Sequence, residues 1–279
     1  MPELPEVETV RRSLLPVILD KPIASVDVYY ERILQHITPQ KFKEQITGRR
    51  ILDLARRGKY LIFHLENHLD LVAHLRMTGR LIYYSDAAIA MAKHTSVIFG
   101  FASGGNLRFE DVRKFGTLDL VTSGEYEQIK GLHSLGVEPL SEAFTVEHLQ
   151  NLIQDRSTKI KGLLLDQTKI AGMGNIYADE SLFMARIHPE RPANSLSSLE
   201  VQSLHLAIKD VLQDAIVGQG TTLRDYRTGY GREGSFQNKL QIYGKKGEKC
   251  PRCGVDLEYK KVAGRTSHFC PACQREQRS

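Results

Sequence analysis

Four cysteines occur in the sequence, Cys250, Cys253, Cys270 and Cys273, in the pattern Cys-x2-Cys-x16-Cys-x2-Cys. Two tight pairs, each closing a turn, can set four thiolates tetrahedrally around one zinc ion. Such a zinc is structural, because four protein ligands leave no open position for water. Pro251-Arg252 and Pro271-Ala272 fill the two turns, and the stretch between them reads as a β-hairpin. Two disulfides or four free thiols are the alternatives. Met1–Thr9 carries three glutamates and no basic flank, so it does not read as a secretory signal, and disulfides are disfavoured in an intracellular chain. Lys260, Lys261 and a Gly264-Arg265 pair lie between the cysteine pairs, where a hairpin tip can reach a phosphate.

The opening Met1-Pro2-Glu3-Leu4-Pro5-Glu6 offers a second kind of chemistry. Removal of Met1 would leave Pro2 with a secondary α-amine, whose ordinary pKa near ~8 leaves a useful fraction unprotonated at neutral pH. Attack by such an amine on an anomeric carbon gives an iminium directly, an electron sink for later elimination. Glu3 stands next to it as a proton carrier, and Glu6 can position the pair or satisfy a helix N-terminus. A plain Pro/Glu-rich helix start is the structural alternative. Lys59, after Gly58 and between two strands, can approach a phosphate or donate a proton; a surface strand lysine is its alternative.

The surrounding elements fall into two textures. A helix opens the chain, with Val7, Val10, Leu14, Leu15, Val17 and Ile18 at helical spacing and Pro5 in its first turn. From about Ile23 to Val121, short apolar or alternating runs are punctuated by Gly58, Gly79 and Gly104-Gly105, the mark of an antiparallel sandwich or barrel. After Gly131 the pattern turns helical: Phe144–Ile153, Ile160–Leu165, Asn175–Ala185 and Leu199–Val217. The last opens on Ser197-x-x-Glu200, a capping box. Residues 218–237 hold five glycines, two tyrosines and no periodicity, and read as a mobile loop.

Composition is that of a globular protein, with 41% hydrophobic and 25% charged residues. No apolar run reaches the ~18 residues a membrane helix needs, so a membrane partner is not expected. Net charge is +5 overall. From Lys239 onward there are ten Lys or Arg against four Asp or Glu, a concentration suited to gripping a polyanion.

Met1 to Val10, Gly58-Lys59-Tyr60, His74 to Gly79, Asp111 to Gly116, Gly172 to Tyr177 and the cysteine module occur in the order that resembles the bacterial formamidopyrimidine-DNA glycosylase family. The resemblance spans nearly the whole chain. It implies an α+β protein: an N-terminal antiparallel β-sandwich with flanking helices (1–131), a helix–two-turns–helix domain (132–238) with a lesion-capping loop at 218–237, and a C-terminal zinc-finger β-hairpin (239–279). It implies a bifunctional glycosylase and abasic-site lyase acting on damaged double-stranded DNA, with oxidised purines as substrates and one structural zinc.

By the same resemblance Pro2 is the nucleophile, Glu3 the proton donor, Glu6 its companion, Lys59 the β-elimination lysine and Arg265 the δ-elimination arginine. Met77, Arg113 and Phe115 fill the space left by an extruded nucleotide. On residue type alone Met77 and Phe115 would more often be core residues. Arg113 and Phe115 share a face if their segment is extended. Asn175, behind the Gly172-Met173-Gly174 turn, can hold a phosphate. His94 and Arg156 fall at DNA-contact positions, with Lys159 and Lys161 as alternatives to Arg156. Thr221, Thr222 and Tyr226 are candidates for contact with the flipped base. Two rivals are an oxidised-pyrimidine glycosylase of the sister branch and a non-catalytic zinc-ribbon DNA-binding protein. Monomeric state and a cytoplasmic location are the default expectations.

Overall fold

A computed structural model describes residues 1–276. The chain divides into two compact units: Met1–His133 with Gly218–Gln237, and Ser134–Val217 with the segment from Asn238 onward. Among the described residues no helix is long and apolar enough to cross a membrane.

The first unit is a sandwich of two sheets. Helix α1 (Leu4–Ile18) precedes β1 (Ile23–Val28), the short β2 (Leu34–Gln35), α2 (Pro39–Ile46), β3 (Ile51–Arg57), β4 (Tyr60–Leu65) and β5 (Leu69–His74). Next come β6 (Gly79–Tyr84), β7 (Thr95–Phe101), β8 (Asn106–Asp111), β9 (Thr117–Thr122) and the single-turn α3 (Lys130–His133). One sheet has the order β1-β7-β8-β6 and the other β2-β9-β5-β4-β3. Pairing is antiparallel except between β2 and β9, which run parallel over Leu34–Gln35.

Alternation along the strands places Val26, Leu81, Val97, Phe99, Leu107 and Phe109 of one sheet and Leu54, Leu61, Phe63, Leu71 and Leu118 of the other in one core. Val7, Val10, Leu14 and Ile18 of α1 join it, each fully buried. Removing a fully buried leucine such as Leu14 costs about 2–5 kcal/mol, because a cavity remains. Helix α2, Pro39–Ile46, carries too short an apolar pattern, Phe42 and Ile46, to stand out in the sequence.

Residues 218–237 are packed, contrary to the mobile loop their composition suggests. Tyr226 enters the sandwich core. Backbone bonds close the segment on itself, Ser235 N to Gly218 O at 2.8 Å and Thr228 N to Arg232 O at 2.8 Å. Others fix it to the sandwich, Tyr83 N to Gly229 O at 2.8 Å and Gly229 N to Ser13 Oγ at 2.9 Å. Small residues permit this approach: a Cβ on Gly229 would lie 2.7 Å from Leu14. Order that rests on backbone bonds leaves no apolar period to read.

The second unit is helical with a two-stranded appendage. It contains α4 (Val146–Ile153), α5 (Ile160–Leu165), α6 (Asn175–Met184), α7 (Ser198–Val217), and the antiparallel pair β10 (Glu258–Val262) and β11 (Arg265–Phe269). The capping box before α7 forms: Ser197 N donates to Glu200 Oε2 at 2.8 Å and Glu200 N to Ser197 Oγ at 3.4 Å. Val201, Leu204, Ile208, Val211, Leu212 and Ala215 are the buried stripe of α7.

Candidate active site and nucleic-acid interface

The first turn of α1 is built by a reciprocal cap. Glu3 is the N-cap residue, its carboxylate accepting from the backbone of Glu6 while Glu6 Oε2 accepts from Glu3 N at 2.8 Å. Pro5, in that first turn, costs no hydrogen bond there. Pro2 and Glu3 are buried, whereas Met1 is 52% exposed. The other oxygen of Glu6, Oε1, accepts from Thr221 N at 2.7 Å. One carboxylate, 1% exposed, therefore bonds both the start of α1 and the 218–237 segment.

Glu8, one turn on, joins α1 to the strand that leads to Lys59. Its carboxylate meets Arg11 at 2.9 Å, Arg12 at 2.7 Å and Arg56 of β3 at 3.1 Å. Burial opposes its charge, but hydrogen bonds from Arg11 and Arg12 and the nearby Arg11 and Arg56 charges prevail and hold its pKa down to about 2. Gly58 turns the chain between β3 and β4 with φ +55°, a left-handed conformation natural to glycine. Lys59 follows it and is buried at 7% exposure, which rules out the surface-strand alternative. His74 at the end of β5 is kept neutral. Burial first, then the charges of Arg76 and Lys59, bring its pKa down to about 3, and its Nδ1 accepts from Arg76 N at 2.9 Å.

Met77, Arg113 and Phe115 are not core residues. Met77 is 41% and Phe115 58% exposed, and Arg113 is exposed beside them, its Nη1 3.3 Å from Met77 Sδ. The 112–116 segment is a turn with Lys114 at φ +56°, so strand alternation does not relate Arg113 to Phe115. His94 is half-buried, and its carbonyl accepts from Asp111 N at 2.9 Å.

The remaining candidates lie in the second unit. Asn175 opens α6 behind Gly174, and its Nδ2 donates to Thr266 O of β11 at 2.8 Å. Arg265 is exposed where β11 begins, after a two-residue turn in which Ala263 (φ +48°) and Gly264 (φ +74°) are both left-handed. Arg156 and Lys159 are exposed, Lys159 paired with Glu190. Lys161 does not suit a phosphate contact: it is fully buried, with Nζ 2.6 Å from Asp179 Oδ1. Its place on the inner side of α5, where Ile160, Leu163 and Leu164 are also buried, puts it out of reach of solvent.

The four cysteine Sγ atoms lie within 4.8 Å of one another, with Cys250–Cys273 at 3.9 Å and Cys253–Cys270 at 3.5 Å. Zinc–sulfur bonds of ~2.3 Å in a tetrahedron require sulfurs about 3.8 Å apart, so the donor set fits one zinc ion. Each pair sits in a tight knuckle, Gly254 N donating to Cys250 O and Gln274 N to Cys270 O, both at 2.9 Å. Gln274, fully buried, links the second knuckle to Ile187 O at 2.9 Å.

Two acidic residues that sequence reasoning passed over hold this unit together. Asp179 Oδ2 accepts from His268 N of β11 at 2.9 Å. Glu180 accepts from the backbone of Gln241, Ile242 and Tyr243 at 2.9, 3.0 and 2.8 Å. Desolvation raises the Glu180 pKa despite those bonds. The available signal was an adjacent acidic pair, Asp179-Glu180, inside the mainly apolar segment 176–185, where solvated charges have no place.

Residues 1–118 match the profile of the formamidopyrimidine-DNA glycosylase N-terminal domain, 135–226 that of the formamidopyrimidine-DNA glycosylase H2TH domain, and 247–275 a zinc finger found in FPG and IleRS. The formamidopyrimidine-DNA glycosylase of Pelotomaculum thermopropionicum is 48% identical over 275 residues, covering 99% of each chain. A Lactococcus lactis FPG variant in complex with DNA containing Fapy-dG superposes with a TM-score of 0.92 at 41% identity, covering 98% of this chain and 100% of that one. The Lactococcus lactis protein bound to DNA containing an abasic site gives a TM-score of 0.91 at 40% identity, with 98% and 99% covered.

Proposed function

The chain belongs to the formamidopyrimidine-DNA glycosylase family, and from that premise we propose which of its residues carry the reaction. It is a bifunctional glycosylase and abasic-site lyase that binds damaged double-stranded DNA and acts on oxidised purines and abasic sites. The zinc-finger cluster accords with one structural zinc, and no step below passes through it.

Pro2, freed of Met1, is the nucleophile. Its nitrogen bonds to C1′ of the damaged nucleotide, the glycosidic bond breaks with its electron pair on the base, and Glu3 delivers a proton. The nitrogen then loses its N–H proton, and opening of C1′–O4′, with its electron pair leaving on O4′ and a proton taken up there, leaves an iminium between Pro2 and C1′. The iminium acidifies C2′, so loss of a C2′ proton expels the 3′ phosphate; a second elimination expels the 5′ phosphate and leaves a one-nucleotide gap. Lys59 serves the first elimination and Arg265 the second. Met77, Arg113 and Phe115 occupy the place of the extruded nucleotide, offsetting part of the few kcal/mol that unstacking costs. His94, Arg156 and Asn175 contact the strands. Glu6 takes part by holding the 218–237 segment, with Thr221 and Thr222 toward the flipped base; Tyr226, a third candidate, is instead packed in the sandwich core with its hydroxyl donating to Gln219 O.

The observation that carries this assignment is the buried Glu3–Glu6 reciprocal cap, which leaves Pro2 at the open end of α1 with a carboxylate beside it. The acid is held in register with the nitrogen by the reciprocal pair, its carboxylate by the Glu6 amide and its own amide by Glu6 Oε2, rather than left as a free rotamer. The protein is proposed to act as a monomer in the bacterial cytoplasm, where its DNA lies.

Borohydride reduction during turnover on an 8-oxoguanine duplex tests the assignment. Protein processed to Pro2 is expected to give a covalent adduct that peptide mapping places on Pro2. Protein that retains Met1 is expected to give none. Mapping of the adduct to any lysine would remove Pro2 from the role.

A further inference from the structure

Asp111 closes β8 and is 1% exposed, yet its carboxylate serves two different loops. Oδ1 accepts from Thr78 Oγ1, in the loop that carries Met77, and from Arg113 N at 3.2 Å. Oδ2 accepts from Gly116 N at 2.8 Å, directly after Phe115. Thr78 completes the join, since its hydroxyl also accepts from Arg113 N at 3.1 Å. The backbone of Asp111 bonds to His94 O at 2.9 Å and pairs with Gly79 across β6 and β8. One buried side chain thus reaches the neighbours of all three exposed residues of the proposed wedge, and its own amide reaches His94.

We propose that Asp111 is the positioning residue of the wedge, fixing the 75–79 and 112–116 loops to each other so that Met77, Arg113 and Phe115 enter a duplex as one body. The inference rests on the reading that these three side chains replace the extruded nucleotide. The physical reason is entropy and geometry. Exposed side chains on two independent loops would each lose conformational freedom on insertion, and a Lys114 backbone held at φ +56° needs surrounding bonds to keep it there. A carboxylate excluded from water is the strongest neutral-donor acceptor available for this purpose. Leaving any of its donors unmet in that buried site has a cost that returns as loop mobility.

Two variants test it. Asp111→Asn replaces one acceptor oxygen by a donor, so at least one loop loses its anchor. Thr78→Val removes only the hydroxyl and leaves the Asp111–Gly116 bond. Each is compared with wild type on a fully paired 8-oxoguanine duplex and on an abasic site placed in an unpaired bulge, where no base pair must be opened. A 2-aminopurine next to a tetrahydrofuran abasic analogue reports wedge insertion by its fluorescence. The expected result is at least a roughly tenfold loss of excision from the paired duplex, with a matching loss of the fluorescence rise. Nicking in the bulge is expected to change less than about threefold. Equal losses on both substrates would mark Asp111 as merely structural, and undiminished excision from the paired duplex would also overturn the proposal. The triple variant M77A/R113A/F115A separates the two levels. If it leaves the fluorescence rise intact, the wedge reading itself fails; if it abolishes the rise while Asp111→Asn does not, only the role of Asp111 fails.

Discussion

Lys161 and Asp179 form an ion pair at 2.6 Å with both side chains fully buried. Each is further satisfied by the zinc hairpin: Lys161 Nζ donates to Ser267 Oγ at 2.6 Å and Thr266 O at 3.2 Å, and Asp179 accepts from His268 N at 2.9 Å. The pair is the fastening between α5, α6 and the strand that starts with Arg265. Lys161→Met strands a buried carboxylate and is expected to destabilise the second unit by about 3–5 kcal/mol. The double variant Lys161→Met with Asp179→Leu is expected to recover much of that loss. Denaturant unfolding of the single and double variants checks both statements.

Glu8 gives the first unit an acid-sensitive tie. Its pKa is lowered from 4.5 to about 2 in the folded chain, so its stabilisation is full above pH 4.5 and fades as pH falls towards 2. The shift corresponds to about 3 kcal/mol at neutral pH. Glu8→Gln is expected to lose stability of that order at pH 7 and to show a flatter decline between pH 4.5 and pH 2. Thermal midpoints measured across that range decide it, and parallel curves for the two proteins would contradict it.

Zinc removal is expected to act through the hairpin. Thiolates that need the ion to stay together would separate, and Arg265, Lys260 and Lys261 would lose their common platform. Duplex affinity is expected to fall at least about tenfold after chelation, reflecting lost phosphate contacts. Equimolar zinc is expected to restore it and magnesium is not; fluorescence anisotropy with labelled duplex reads both.

Gly220 lies at φ +79°, and a Cβ there would stand 2.9 Å from Glu6 Oε1. Gly220→Ala is therefore expected to push the 218–237 segment off Glu6 and break the bond to Thr221 N. Strain of this kind costs about 1–3 kcal/mol. Excision of 8-oxoguanine is expected to slow about tenfold or more, while nicking of a ready-made abasic site, which presents no base to enclose, changes little. Single-turnover rates on the two substrates check the split.

Features that depend on residue type at fixed spacing were legible in the sequence. The cysteine knuckles, the Ser197–Glu200 cap and the apolar face of α1 each follow from a short local rule, and each forms. The sandwich was legible as short strands between glycine turns, but not the parallel β2–β9 pair, since two residues carry no pattern. What stayed hidden depends on long-range polar bonds. Asp111, Asp179 and Glu180 look like surface acids until the fold buries them against backbone donors from distant segments. Lys161 misled for the same reason: its charge suggests DNA, and only the facing Asp179 shows otherwise. The 218–237 segment read as loose because its order comes from Glu6, Ser13 and Tyr83, none of them adjacent to it in sequence.

The discontinuity of the first unit reaches into biosynthesis. Its sandwich spans Met1–His133, but the piece that completes it, Gly218–Gln237, is translated only after the helices of the other unit. A ribosome must therefore finish most of the message before Glu6 and Ser13 find their partners. A nascent chain stalled earlier carries Glu6 without its bond to Thr221 N, and gene fragments cut at the apparent boundary after His133 would deliver an incomplete half. Dividing this enzyme into separately expressed parts requires supplying those twenty residues in trans.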